Sequence, residues 1–134
     1  MGISMEKTDQ TAYMNTTVLA YMGDAVYEVF VREHVIASGQ IHADRLHQSA
    51  VRYVRAEGQA KALKKMLEDL SETELALVKR ARNKKITSKP KNADPITYKW
   101  ATAFEALIGY LHLSGQKARR NEIMEQTVSI IEKL

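Results

Sequence analysis

The stretch NTTVLAYMGDAVYEVFVREHVI, residues 15–36, predicts one long helix around which the rest of the chain is organised. Asn15 is a residue type that caps helix starts, and Gly39 follows just beyond the far end. Apolar residues share one face at helical spacing, namely Val18, Leu19, Met22, Val26, Val29 and Phe30. The opposite face is apolar as well, except for Asp24. We therefore expect this helix in the middle of a bundle, with the Asp24 carboxylate among apolar neighbours.

A second acid, Glu105, stands in a similar setting. It belongs to a helix that begins at Asp94-Pro95, a typical N-cap and first-turn pair, and that runs to about Leu113. Its helical neighbours are mostly small, and neither acid has a basic residue three or four positions away. If the two helices cross, the two carboxylates could bind a hard divalent cation such as Mg²⁺ through oxygen. The alternative is that each acid caps or hydrogen-bonds a nearby group.

The remaining pattern is helical throughout and predicts an all-α fold of five to seven helices. Apolar residues continue at helical spacing from about Ile41 to Leu67, where Gly58 marks an expected bend. Ser71 and Glu74 form a capping box that opens the next helix. The last helix, Lys117–Leu134, is expected to turn Met124, Val128, Ile131 and Leu134 inward. The chain has no cysteine for a disulfide or thiolate metal site, and no apolar run long enough to span a membrane.

The positive charge is concentrated in one segment. Residues 79–99 hold eight Lys or Arg and a single Asp, a net charge of +7, whereas the whole chain carries +4. The remainder of the chain is therefore net negative. This asymmetry is expected of a protein with a polyanionic partner, although a solvated charged face would give the same pattern.

Part of this segment is predicted to be helical and part to be a loop. The stretch ITSKPKNA, residues 86–93, has the composition of a loop. We expect the cations on both parts to contact phosphates along a nucleic-acid duplex. These cations are Arg80, Arg82, Lys84, Lys85, Lys89 and Lys91.

Two of these stretches resemble a known family. The sequence LAYMGDAVYE, residues 19–28, resembles the signature helix of the ribonuclease III family, and FEALIG, residues 104–109, resembles its second acidic motif. Residues 46–60 resemble the intervening helix, and the order and spacing also match. The resemblance covers nearly the whole chain. It implies a single ribonuclease III-type helical endonuclease domain over residues 1–134, without a double-stranded RNA-binding domain, that forms a homodimer.

The chain departs from the family pattern at several acids. The signature of the family usually begins Glu-Arg-Leu-Glu, whereas the corresponding residues here are Thr17, Val18, Leu19 and Ala20. A further Asp usually stands three residues before the second Glu, where this chain has Thr102. Only Asp24 and Glu105 remain of the four expected acids. The branch of the family that consists of the nuclease domain alone shows the same reduction.

The resemblance implies the following activity. Asp24 and Glu105 hold Mg²⁺, or Mn²⁺ in its place, and a water on the ion attacks the phosphodiester. Thr102 and Glu28 are candidates for an outer shell around the ion. Each subunit of the homodimer cuts one strand of double-stranded RNA and leaves 5′-phosphate and 3′-hydroxyl ends. The expected substrate is precursor 23S ribosomal RNA in the bacterial cytoplasm, with a ribosomal protein as a further partner and no contact with a membrane.

Two other functions are compatible with the residues. One is a non-catalytic RNA-binding or ribosome-assembly protein on the same fold, which would bind RNA without cutting it at any Mg²⁺ concentration. The other is a helical dimerisation module whose basic loop meets an acidic protein. This module would not retard RNA on a gel.

Overall fold

The structure, a computed structural model, describes residues 10–134 and confirms the all-α fold. No strand occurs among these residues, and a short 3₁₀ turn, Leu67–Asp69, is the remaining regular element beside the α-helices. The six α-helices of more than ten residues are α1 (Thr16–Ala37), α2 (Ala43–Val54), α3 (Ala56–Met66), α4 (Glu72–Asn83), α5 (Pro95–Leu113) and α6 (Lys117–Glu132). Within residues 10–134, no helix has the length and apolarity that a membrane span requires.

The helix at the centre of the bundle is α5, so the expectation that α1 would occupy the centre is wrong. Helix α5 contacts α1, α3, α4 and α6. Its buried residues are Ala101, Ala103, Phe104, Ala106, Leu107, Ile108, Gly109, Tyr110 and Leu111. Helix α1 packs mainly against α5, with further contacts to α2 and α4, and its outer, apolar face is exposed. The central position was predicted because both faces of α1 are apolar. Apolarity alone does not determine which face is covered by other helices.

The buried face of α1 also differs from the expected one. Val18 and Val29 were expected in the core, but about half of each side chain is exposed. The face that packs against the bundle consists of Thr16, Leu19, Ala20, Gly23, Tyr27, Val31 and Val35. Its centre, Gly23, has no side chain and therefore adds nothing to a hydrophobic pattern. Tyr27 is almost fully buried, and its hydroxyl donates to the carbonyl oxygen of Tyr53 at 2.8 Å.

The predicted helix starts are confirmed by their caps. The side chain of Asn15 accepts from the backbone N–H of Thr17 at 2.8 Å, and that of Asp94 accepts from Thr97 at 2.9 Å. Ser71 and Glu74 form the reciprocal capping box at the start of α4. These caps satisfy backbone N–H groups that have no partner inside a helix.

The capping acid Glu74 has a second role that the sequence did not reveal. It is buried, and the guanidinium of Arg119 on α6 donates to both of its carboxylate oxygens at 2.9 and 3.0 Å. Burial by itself would raise the pKa of Glu74, but the hydrogen bonds from Arg119 and Ser71 lower it below its usual range. The pair therefore joins the starts of α4 and α6.

Two further expectations need correction. The bend in the second helical pattern lies at Arg55, which has extended backbone between α2 and α3, and Gly58 is inside α3. Leu134 is about half exposed, whereas Met124, Val128 and Ile131 are buried as expected. Leu134 follows the end of α6, so its direction is no longer set by the helical repeat.

Candidate active site

Two glycines bring the carboxylates of α1 and α5 together. A Cβ atom added to Gly23 would lie 1.7 Å from the carbonyl oxygen of Glu105, and one added to Gly109 would lie 1.8 Å from the carbonyl oxygen of Leu19. The two helix backbones are therefore in direct contact at this crossing. Asp24 follows Gly23, and Glu105 lies one turn before Gly109. The crossing thus places the two acids side by side.

The two carboxyl groups form one electrostatic unit. Glu105 is largely buried, and this burial, a hydrogen bond with Asp24 and the charge of Asp24 raise the pKa of Glu105 to about 8. Asp24 is exposed on the surface of α1, so the expectation of a carboxylate among apolar neighbours is wrong for Asp24 and describes Glu105 better. Without a cation, the raised pKa favours the protonated form of Glu105 at pH 7.

The donor set suits a hard divalent cation. Neither acid forms a salt bridge with a basic residue in the part of the chain that the structure describes. The same residues contain no cluster of three or more His, Cys, Asp or Glu. Two adjacent carboxylates are sufficient for Mg²⁺, which is usually held by one or two carboxylates and retains several waters.

The two candidate outer-shell residues differ in their surroundings. Glu28 accepts hydrogen bonds from Arg32 at 3.0 and 3.2 Å in an exposed pair one turn further along α1. This pairing leaves Glu28 engaged with Arg32. Thr102 lies one turn before Glu105, and its hydroxyl donates to the carbonyl oxygen of Tyr98 at 2.9 Å.

Two of the predicted RNA-binding residues have structural partners instead. The guanidinium of Arg80 donates to the carbonyl oxygens of Ala12 and Met14 at 2.7 and 2.9 Å, and so holds the segment before α1 against α4. Arg82 lies over the ring of Trp100, with 5.0 Å between its Cζ atom and the ring centroid. These contacts explain part of the charge in the basic segment without a ligand.

The four lysines predicted to bind RNA lie in two places, a cleft and a loop. The Nζ atom of Lys84 donates to Thr17 Oγ1 at 2.9 Å and to Asn15 Oδ1 at 3.1 Å. Lys85 lines a cleft together with Lys84, whereas Lys89 donates to the carbonyl oxygen of Ala93 at 3.2 Å. Lys91 is exposed in the loop. The structure therefore collects Lys84 and Lys85 in one place and leaves Lys89 and Lys91 on the loop between α4 and α5.

This cleft, which we call the lysine cleft, is a feature that the sequence did not predict. It has a volume of about 240 Å³. Its lining residues are Thr16, Thr17, Ala81, Lys84, Lys85, Ile86, Thr87, Ser88, Tyr98, Lys99 and Thr102. The sequence signal was weak, because these residues come from α1, α4, the following loop and α5, and most of them are ordinary hydroxyl-bearing residues.

Comparison with known proteins identifies the family. The profile of the ribonuclease III domain matches residues 17–116. The chain belongs to the ribonuclease III family. The matched range contains both acids and most of the lysine cleft.

The relatives narrow the assignment to one branch of the ribonuclease III family. The chain is 50% identical to Mini-ribonuclease 3 of Brevibacillus brevis, over 96% of this chain and 98% of that protein. It is 45% identical to Mini-ribonuclease 3 of Symbiobacterium thermophilum, over 86% and 88% of the two chains. A crystal structure of a Fusobacterium nucleatum protein with 30% identity superposes with a TM-score of 0.79, over 91% and 96% of the two chains. The chain is thus an endoribonuclease of the Mini-ribonuclease 3 branch.

Proposed function

We propose that this endoribonuclease cuts double-stranded RNA with the help of a divalent metal ion held by Asp24 and Glu105. The observation that carries the proposal is the pair itself: Asp24 and Glu105 meet where α1 and α5 cross in direct backbone contact. Burial and the neighbouring Asp24 raise the pKa of Glu105 to about 8, which favours its protonated form at pH 7. Such a pair favours replacement of the proton by a cation. Active sites are places where pKa shifts of this size are common.

The protein contributes position and charge to the reaction. Asp24 and Glu105 are the groups that would hold Mg²⁺ or Mn²⁺, and the ion would supply a Lewis acid at the phosphate and a water of lowered pKa. The glycine contact between α1 and α5 fixes the distance between the two acids. Thr102 lies one turn before Glu105 on α5 and lines the lysine cleft. Hydrolysis then leaves a 5′-phosphate and a 3′-hydroxyl end.

The basic segment supplies contacts to the RNA backbone. Lys84 and Lys85 lie in the lysine cleft, and Lys89 and Lys91 extend the positive charge along the loop. A-form RNA is recognised mainly through its phosphates, its 2′-hydroxyls and its shape, so such cations suit a duplex. Arg80 and Arg82 support this surface through their contacts with Met14 and Trp100. Affinity for the duplex is expected to fall steeply as salt is added.

The exposed face of α1 supports a homodimer. Val18, Tyr21, Ala25 and Val29 lie on one stripe of the helix, and all four are exposed. Tyr21 has 81% of its surface accessible, and together with Val18 and Val29 it forms a contiguous exposed apolar patch of the kind that marks interaction surfaces. A second copy packed on this stripe would place two acid pairs on one duplex, one for each strand.

The resemblance also points to a specific substrate. Precursor 23S ribosomal RNA in the bacterial cytoplasm, presented by a ribosomal protein, is the substrate that it implies. Cleavage of a transcript that carries the ends of precursor 23S RNA, with and without ribosomal proteins, would test this part of the proposal separately.

The main experiment uses Asp24→Asn and Glu105→Gln variants with a labelled, fully paired RNA duplex. We expect the wild type to cut both strands in Mg²⁺ and to stop in EDTA. Each variant should lose at least about 100-fold in rate, because removal of a group that stabilises transition-state charge typically costs this much. Circular dichroism should show that both variants keep their helices.

Glu28→Gln is the matched control, because Glu28 lies on the same helix and is paired with Arg32. We expect it to cut the duplex within about threefold of the wild-type rate, since exposed pairs contribute little. Duplex binding without cutting by the wild type at every Mg²⁺ concentration would overturn the proposal. Equal losses in Glu28→Gln and Asp24→Asn would argue against a special role for the acid pair.

A further inference from the structure

The lysine cleft combines features of an anion site. Its lining includes three lysines, Lys84, Lys85 and Lys99, and six hydroxyl-bearing residues, Thr16, Thr17, Thr87, Ser88, Tyr98 and Thr102. The residues that line it include no carboxylate. Cations and hydroxyl donors without an acid favour a negatively charged, oxygen-rich group. At about 240 Å³ the cleft is smaller than most pockets for drug-sized ligands, so it has room for a small group.

Lys84 is held in place before any ligand binds. Its ammonium donates to Asn15 Oδ1 and Thr17 Oγ1 at the start of α1. An ammonium has three N–H donors, so one remains for a further acceptor. These contacts order a long and flexible side chain in the free protein. Binding of a ligand therefore costs little additional side-chain conformational entropy.

The cleft is adjacent to the acid pair. Thr102 lines the cleft, and Glu105 follows three residues later on the same face of α5. Thr17 and Thr102, which stand where the family pattern has acids, therefore both line a cleft that contains Lys84. The two family acids are thus replaced by neutral threonines beside the ammonium of Lys84, so the charge at these positions is positive rather than negative.

From these observations we infer that the lysine cleft is a subsite for one backbone phosphate of the RNA that neighbours the phosphate being cut, with Lys84 as its main contact. The cleft thus takes an anion of the substrate and not a second metal ion. This inference rests on the proposed function, because it assigns one part of the bound duplex to a place beside Asp24 and Glu105. It adds Lys99 and the cleft hydroxyls to the residues that position the substrate.

The test pairs protein variants with single neutral phosphates in the RNA. Each phosphate next to the cut is replaced in turn by an uncharged methylphosphonate, and duplex affinity in EDTA and single-turnover cutting in Mg²⁺ are measured. For the wild type, we expect one such replacement to weaken binding and slow cutting by about tenfold or more, as for other hydrogen bonds between charged groups. In Lys84→Met the same replacement should have no further effect, because the opposing charge is absent.

Two other variants keep the test independent of a folding defect. In Lys84→Arg, which keeps the positive charge, the methylphosphonate should still weaken binding and cutting to much the same extent. In Lys99→Met the penalty should be smaller than in the wild type, while the contacts of Lys84 to Asn15 and Thr17 are kept. Lys117→Met is the control, since Lys117 is exposed at the start of α6 and does not line the cleft. In this control the methylphosphonate should weaken binding and cutting as much as in the wild type.

The outcomes separate the inference from the proposed function. Equal penalties in the wild type and in Lys84→Met at every neighbouring phosphate would overturn the inference. If the wild type does not cut the unmodified duplex, the proposed function fails, and the affinities in EDTA still show whether the cleft binds a phosphate. The subsite would be established if one methylphosphonate weakens binding and cutting in the wild type and in Lys117→Met but has no further effect in Lys84→Met.

Discussion

At the scale of single residues, the decisive feature is the contrast between two buried or partly buried acids. Glu105 has a pKa raised to about 8, since burial and Asp24 disfavour its charge. Glu74 has a lowered pKa, because hydrogen bonds from Arg119 and Ser71 outweigh its burial. Neighbours decide the direction in each case. An acid without a cationic partner suggests a functional site, whereas a paired acid suggests a structural one.

The raised pKa of Glu105 predicts a pH-dependent stability of the metal-free protein. A carboxyl group whose pKa is higher in the folded than in the unfolded state makes its full contribution to the free energy of unfolding below its ordinary pKa of 4.5. That contribution is lost as the pH rises through about 8. We therefore expect Glu105→Gln to be more stable than the wild type at pH 9 in EDTA, by about 1–2 kcal/mol after solvent screening is considered.

Urea unfolding in EDTA at pH 5 and pH 9 would measure this effect. The difference in free energy of unfolding between the wild type and Glu105→Gln should be larger at pH 9. Glu28→Gln serves as a control and should show little change between the two pH values. An identical difference at both pH values for Glu105→Gln would contradict the raised pKa.

The Glu74–Arg119 pair predicts the opposite pH dependence. Arg119→Met leaves the buried carboxylate of Glu74 without its cation, so we expect a loss of about 2–3 kcal/mol at pH 7, somewhat below the cost of breaking a fully buried pair. The lowered pKa of Glu74 means that the contribution of the pair exists above pH 4.5 and disappears as the pH falls through the folded-state pKa. The cost of Arg119→Met should therefore shrink in acid.

Thermal and urea unfolding between pH 3 and pH 7 would test this prediction. Arg32→Met is the matched control, because the Glu28–Arg32 pair is mostly exposed. It should cost less than about 1 kcal/mol at any pH. A loss in Arg119→Met that does not depend on pH would show that packing, and not the charge of Glu74, carries the effect.

At the scale of helices, the contact between α1 and α5 determines the site. Gly23 and Gly109 allow the two backbones to touch, and a Cβ atom at either position would lie within 2 Å of a carbonyl oxygen of the other helix. Both glycines cost some helix stability when considered alone. The close contact between α1 and α5 explains their presence better than local backbone preference does, because neither has positive φ.

This contact predicts strong effects of a single methyl group. Gly23→Ala or Gly109→Ala must push the helices apart, so we expect a loss of about 3 kcal/mol or more in the free energy of unfolding. Cutting of the duplex should fall at least about 100-fold in any protein that remains folded, because Asp24 and Glu105 separate. Urea unfolding and single-turnover cutting would measure both effects.

Gly39→Ala provides the control for these substitutions. Gly39 has a φ of 90° but no atom within 4 Å of an added Cβ. The substitution should cost about 1–2 kcal/mol through backbone strain and leave the cutting rate unchanged. If Gly23→Ala has no larger effect than Gly39→Ala, the close contact does not set the geometry of the site.

At the scale of the whole molecule, one apolar surface is left uncovered. The stripe of Val18, Tyr21, Ala25 and Val29 lies on the helix that carries Asp24. A homodimer through this stripe would therefore join two active sites and bury the exposed apolar surface. The proposed dimer and the proposed cleavage of both strands thus depend on the same helix.

The stripe predicts the effect of a charge on the oligomeric state. Light scattering after gel filtration should give the wild type twice the mass of one 15.2 kDa chain. Tyr21→Lys and Val29→Lys should give the mass of a single chain, because a lysine placed in an apolar interface loses its hydration. Both variants should keep their helical circular dichroism.

Ile41→Lys is the control for these variants. Ile41 is 85% exposed but precedes α2 and lies away from the stripe. It should retain the mass of two chains. A single-chain mass for the wild type, or a dimer that persists in both Tyr21→Lys and Val29→Lys, would exclude this interface.

The sequence by itself determined the helices and their caps, and it singled out two acids whose catalytic role stays a prediction. Helical periodicity and capping side chains act within a few residues, so Asn15, Asp94 and the capping box at Ser71 were found without a tertiary structure. The resemblance to the ribonuclease III family also depends on local motifs, and the comparisons confirm it.

Only the tertiary structure decided which helix is central, which acid is buried and where the lysines lie. These properties depend on contacts between residues far apart in the chain, such as Gly23 with Glu105 and Lys84 with Thr17. Helix α1 is apolar on two faces, and its covered face is chosen by the glycine contact, which leaves no hydrophobic signal in the sequence. The raised pKa of Glu105 likewise follows from its burial and from its contact with Asp24, which local sequence does not specify.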